Sequence, residues 1–267
     1  MLRSMYSGIS GMKNFQTKLD VIGNNIANVN TYGFKKGRVV FKDLISQQIA
    51  GASGPGEVRG GVNARQIGLG SQLASVDTIH TIGATQTTSR PLDLAIAGDG
   101  FFVVGPDGGD DANFTRSGNF YLDEEGAIVN ADGLYLLDTA NARITIPLEA
   151  KSFSIGSDGK VTYIEDGNPE PQGDQIIGLA KFANPEGLEK VGSNLYRQSV
   201  NSGEYTESVA PGASGTGLLV PGALEMSNVD LSEEFTEMIV AQRGFQSNTK
   251  IITTSDEILQ ELMGLKR

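Results

Sequence analysis

A mixed α and β fold is predicted for this 267-residue chain. Helices at its two ends are expected to pair as a coiled coil, with an all-β domain between them. Three observations carry that expectation. Apolar residues recur at heptad spacing near both termini, which on a helix makes a seam that needs a partner. Short apolar runs separated by Asp-Gly-type turns fill the centre. The 35 glycines favour turns, bulges and short strands over long helices. The boundaries follow: residues 1–30 and 228–267 form a discontinuous helical domain, 31–70 and 205–227 are extended linkers or arms, and 71–204 form a β-rich outer domain.

The N-terminal stripe runs Met5, Ile9, Met12, Phe15, Leu19, Ile22, Ile26 and Val29, predicting one helix over about 4–29. Gly8, Gly11 and Gly23 interrupt it, and each costs a helix ~1 kcal/mol relative to Ala. Such a helix is weak alone and stable when packed. Asn28 to Gly33 ends it, since Asn and Gly accept left-handed conformations.

Residues 43–70 are punctuated by Gly51, Gly54, Pro55, Gly56, Gly60, Gly61 and Gly68, and fit either a long hairpin or an open loop. In the centre, Phe101–Val104, Ala127–Val129, Leu134–Leu137, Phe153–Ile155 and Val161–Tyr163 read as strands, with Asp-Gly turns between several of them. Residues 203–221 are rich in Gly, Ser and Pro and read as a return linker.

The last helix carries Leu231, Met238, Phe245, Ile252 and Leu259 every seventh residue, with Phe235 and Met263 on the flanking row. Asp230 is its expected N-cap and Glu233 the capping-box partner. Glu233, Glu234 and Glu237 near its start, and Lys266 and Arg267 at its end, match the helix dipole.

Charge narrows the function. The net charge of −11 argues against nucleic-acid binding, which needs a basic surface. Residues 1–42 carry seven basic side chains against Asp20 alone, whereas 228–267 carry seven acidic against four basic. The two helices are therefore electrostatically suited to each other, within a subunit or between subunits. Alternatively both are solvated faces, where an exposed pair contributes only ~0–1 kcal/mol. Cysteine is absent, which excludes disulfides, thiolate metal sites and thiol catalysis. Met1 to Gly8 lacks the continuous apolar run of a cleavable signal, and no stretch is long and apolar enough for a membrane helix.

No catalytic constellation emerges, and no cofactor or metal is expected. The single histidine, His80, sits among strand-like residues and reads as structural rather than as a base. Asp107, Asp110 and Asp111 lack the spacing and terminal Glu of a calcium loop, and Asp123-Glu124-Glu125-Gly126 reads as a hairpin turn. The basic run Lys35-Lys36-Gly37-Arg38 lacks the second helix of a helix-turn-helix. These features point to assembly rather than chemistry.

The segment Asn24-Asn25-Ile26-Ala27-Asn28-Val29-Asn30-Thr31-Tyr32-Gly33-Phe34-Lys35 resembles the N-terminal signature of bacterial flagellar rod and hook proteins. Leu92 to Phe102 and Phe114-Thr115-Arg116-Ser117-Gly118-Asn119-Phe120 resemble its β-domain motifs. Ala223 to Leu231, followed by Met238 to Asn248 with Gln242 and Arg243, resembles its C-terminal helix signature, in which Asn228 opens Asn-Val-Asp-Leu. The resemblance covers nearly the whole chain. The wording of the last segments is closer to the hook subunit, with the distal rod subunit as the alternative.

The resemblance implies a helical homopolymer whose paired terminal helices line a hollow tube, with an extended arm along its wall and the β-domain outside. As a hook subunit the chain is expected to transmit torque as a flexible joint and to serve as an export channel. The implied partners are copies of itself, the distal rod protein, the hook cap protein, the hook–filament junction protein and the flagellar type III export apparatus. Localisation would be extracellular, reached without a cleavable signal. Because a monomer leaves its apolar stripes incompletely buried, the terminal helices are expected to fold fully only on joining the tube.

Overall fold

The computed structural model describes residues 2–55, 60–108, 111–165, 173–205 and 207–264. Gly109 and Asp110 of the acidic loop, and Lys266 and Arg267 at the C-terminus, lie outside the described residues. The fold is mixed α and β. It divides into two compact units: Met1–Ala27, Gly37–Thr78 and Asp230–Arg267 in the first, and Asn28–Lys36 with Ile79–Val229 in the second.

The first unit holds α1 (Leu2–Ala27) and α2 (Leu231–Gly264). They pair antiparallel: Gly8 faces Ile252, Phe15 faces Gly244, Lys18 pairs with Glu237, and Asn25 reaches Glu234. Close approach explains two of the glycines. A Cβ on Gly244 would lie 2.6 Å from the Phe15 ring, and one on Gly11 would lie 3.0 Å from the Asn248 amide. The Gly23 position meets nothing within 4 Å, so packing gives no reason for that glycine. Asp230 caps α2 as expected, its Oδ1 accepting from the backbone N–H of Ser232 at 2.8 Å.

Residues 43–55 and 60–70 form the two arms of a hairpin. Gly37–Asp43 pairs antiparallel with Ser71–Thr78, and Ser46–Ala50 with Arg65–Gly68. The base packs on α1: Phe15 meets Phe41 edge-on at 6.2 Å, and Asn14 donates to Ser71 Oγ at 2.9 Å. The outer strands are exposed at every residue.

The second unit is a β-body around the strand Phe101–Gly105, buried at all five residues. Its side chains alternate between two cores, Phe102 and Val104 facing Leu94, Phe120, Ile128 and Leu136, and Phe101 and Val103 facing Phe114, Leu137 and Phe182. A strand covered on both faces reads as a continuous apolar run rather than an alternation, which is how 101–104 appears in the sequence. The hairpins Ile128–Val129 to Tyr135–Leu136 and Ala150–Ile155 to Val161–Glu165 turn at Gly133 and Gly159, both at positive φ.

In the stretch 205–227, expected to be a linker from its composition, the chain forms two strands. Leu218–Pro221 pairs with Leu94–Ala97, and Ala223–Glu225 with Thr85–Thr87. Leu219, Ala223 and Leu224 are buried there. Turn-forming glycines dominate the composition and mask these short strands, whose partners lie more than a hundred residues away.

Candidate functional site

Three segments separated by long stretches of sequence meet in the β-body. Residues 28–36 leave α1 through a turn, in which Thr31 N–H donates to Asn28 O. Gly33 then adopts φ +69°, open to glycine at little cost. A Cβ there would also lie 2.6 Å from the Arg116 carbonyl carbon and the Ser117 nitrogen. Only a residue without a side chain lets this segment lie against the strand end at 115–117. Gly33 N–H donates to Glu225 O at 2.8 Å, and Asn194 donates to Tyr32 O at 3.2 Å. Lys190 donates to Lys35 O and stands over the Phe34 ring at 5.1 Å.

Lys35, completely buried, reaches the centre of this contact. Its Nζ donates to Glu225 Oε1 at 2.5 Å and to Thr81 O at 2.7 Å. Arg116 Nη1 donates to the other carboxylate oxygen at 3.1 Å, and its Nη2 to Gly98 O at 2.8 Å. Gly83 N–H supplies a third contact to Glu225 Oε1 at 3.0 Å. Glu225 and Arg116 are 1% and 4% exposed, so the triad lies in a low-dielectric interior. Burial lowers the Lys35 pKa while the Glu225 carboxylate works against that shift. Removing one member of such a cluster strands a charge, which costs about 3–5 kcal/mol.

Asparagines hold both ends of the segment. Asn25 binds Gly37 twice, donating to its O and accepting from its N–H at 2.9 Å each, which mimics a strand pairing. Asn228 accepts from Lys36 N–H at 2.8 Å and donates to Ile79 O at 2.8 Å. Thus Asn25, Gly33, Phe34, Lys35 and Asn228, singled out by resemblance alone, each have a physical task. Asn24, Ala27, Gln242 and Arg243 lie on exposed helix surface, and Asn28 on the turn. Sequence reasoning passed over Arg116 and Glu225 as individual residues. Their signal was present: each is the lone charge within a short apolar or small-residue motif.

The helix stripes are placed unevenly. On α1, Ile22 is buried, Met5, Met12, Phe15, Leu19 and Ile26 are half-buried, and Ile9 is 37% exposed. Val29 falls in the turn beyond α1, because the Asn-rich segment ends the helix at Ala27. On α2, Met238, Phe245, Ile252 and Leu259 are half-buried, whereas Leu231, Phe235 and Met263 are exposed. The deepest row is instead Glu234, Ala241 and Ser255. Small and polar residues let the helices approach closely, and the larger apolar side chains stand on the flanks.

Among the described residues no group of three or more His, Asp or Glu side chains is placed to hold a metal, and no helix is long and apolar enough to cross a membrane. His80 is packed edge-on against Phe101 and Tyr196 at 5.5 and 5.4 Å. Burial, then the Lys35, Arg116 and Lys190 charges, push its pKa down to about 4.

The matches to known families fall on these same segments. Residues 5–35 match the flagella basal body rod protein family, 95–163 the flagellar hook protein FlgE/F/G D1 domain, and 220–265 the flagellar basal body rod FlgEFG protein C-terminal family. A flagellar basal-body rod protein FlgG of Bacillus subtilis is 63% identical over 267 residues, covering all of both chains. The chain belongs to the flagellar rod and hook protein family. The FlgG of Caulobacter vibrioides is 40% identical over 99% of this chain and all of its own, and a flagellar hook protein FlgE of Borreliella burgdorferi 30% identical over an alignment of 444 residues covering both chains. Rod and hook proteins of this family are structural and not enzymatic. In this member the three family segments each contribute one charge to the triad, at Lys35, Arg116 and Glu225.

Proposed function

We propose that the chain is a distal rod subunit, which self-assembles into the straight drive shaft of the flagellum. The observation that carries this reading is the 63% identity to a rod protein of matching length, against 30% to a hook protein whose alignment extends to 444 positions. It takes the place of the hook expectation, which rested on the wording of two C-terminal segments. In this reading α1 and α2 pair as a coiled coil lining an export channel, and their exposed flanks at Leu231, Phe235 and Ile239 pack on neighbouring copies. The partners are further copies of the chain and the type III apparatus that delivers it unfolded, which the absence of cysteine suits. The hook cap and hook–filament junction proteins belonged to the hook reading. Electron microscopy of the purified protein after polymerisation tests the assignment. Straight, rigid tubes are expected; curved, flexible tubes would restore the hook.

A further inference from the structure

A cavity of about 270 Å³ opens in the β-body, and His80, Arg116, Asp99, Lys181, Phe101 and Phe182 line it. Two of these carry buried polar atoms with no hydrogen-bond partner among the described residues: Arg116 at Nε and His80 at both ring nitrogens. Buried polar groups are rarely left so, since an unpaired donor forfeits its hydration. Arg116 is 96% removed from solvent (4% exposed), and its two Nη groups are already committed to Glu225 and Gly98. The Nε–H is therefore the donor left over on the cavity side of the triad.

The charge balance selects the ligand. Lys35 and Arg116 share the single carboxylate of Glu225, so the buried triad holds one positive charge in excess. Lys181 adds a cation at the rim, held by Ser214 O and Gly215 O, with exposed Asp99 opposing it. A cation would be repelled, and an apolar group would leave the Arg116 and His80 nitrogens unpaired. A small oxyanion supplies acceptors for Arg116 Nε and a His80 N–H together and offsets the excess charge. We infer that this cavity is a binding site for a small carboxylate or comparable oxyanion. Such a group can come from a free anion or from an Asp or Glu side chain of a second copy of the chain.

The site provides its own reporter, because His80 is the only histidine. Its neutral ring faces the cations Lys35, Arg116 and Lys190, with the Glu225 carboxylate and the Tyr196 phenol nearby. A bound anion shifts that balance and raises the ring's pKa. The test follows the His80 ring signals by NMR across pH while the monomer is titrated with acetate and, separately, phosphate, against sodium chloride at matched ionic strength. A saturable shift, with the pKa rising by about one unit, is expected if the anion is free. If the carboxylate comes from a neighbour, the rise appears on assembly with no anion added, and is followed by solid-state NMR of the tubes. Arg116→Lys, which keeps a cation for Glu225 but removes Nε, should weaken the response about tenfold. Lys181→Ala at the rim should weaken it less and serves where the first variant fails to fold. A His80 signal that follows ionic strength alone in the monomer and does not move on assembly would overturn the proposal.

Discussion

The two units of this chain bury apolar surface very differently. In the β-body Leu94, Phe102, Val104, Phe114, Ile128, Leu136, Ile144, Ile177 and Leu179 are all fully enclosed. In the helical unit only Ile22 and Ala241 reach the buried class among the described hydrophobic residues. There Tyr6, Ile45, Ile49, Phe235, Ile239, Val240, Leu262 and Met263 stand half exposed or more. The β-body also exposes Leu148 and Val200, but beneath them lies a large enclosed core that the helical unit lacks. The contrast teaches that one chain contains a finished domain and an unfinished one. The β-body encloses its own apolar core, whereas under the proposed function the helix pair and its hairpin arm would be completed by other copies.

The largest effect should come from the unfinished unit. Phe235→Asp alters an exposed side chain on α2, so polymerisation is expected to stop while the thermal melt of the β-body stays within a degree or two. Sedimentation and electron microscopy read the first, and calorimetry the second. Tubes formed at wild-type concentration would mean that this flank faces solvent in the assembly.

The converse experiment breaks the finished unit. Glu225→Ala leaves Lys35 and Arg116 buried beside each other with no carboxylate, and should lower stability by about 3–5 kcal/mol in chemical denaturation. Loss of under about 1 kcal/mol would show that the triad is incidental to the fold. Gly33→Ala tests the same contact through the backbone. The added methyl meets the 116–117 peptide while the residue is held at positive φ, and a loss of about 2–3 kcal/mol is expected. A substitution without effect would mean that 28–36 docks elsewhere.

The last test concerns pH. His80 is held neutral in the fold, with a pKa of about 4 against 6.5 for the free side chain. Its contribution is therefore complete above 6.5 and is lost as pH falls from 6.5 towards 4, by up to about 3 kcal/mol. His80→Phe should remove that part of the acid destabilisation, as measured by denaturation at pH 7 and pH 4.5. An unchanged difference between the two pH values would assign the acid limb to the carboxylates instead.

How much was legible beforehand depends on the range of the interactions. The start of α2, its Asp230 cap and the hairpins at Gly133 and Gly159 all rest on local chemistry, and the structure places them where the sequence pattern did. The strands at Leu218–Pro221 and Ala223–Glu225 were hidden, because what makes them strands is pairing with 94–97 and 85–87. The depth of the α2 seam was hidden for a related reason. A heptad count finds the large apolar residues, but the residues buried deepest on α2 are Glu234, Ala241 and Ser255, and glycines at 8, 11 and 244 set the close approaches.

The sequence by itself determined that there are two terminal helices and a β-rich centre, and its motifs carried the family. Those are properties of periodicity, turn chemistry and short words of sequence. Only the tertiary structure decided that Lys35, Arg116 and Glu225 form one buried cluster. Three charges that each look like ordinary surface residues in their own segments become a core feature when the backbone brings them within hydrogen-bonding distance. Charge pairing acts through space, and the sequence records only distance along the chain.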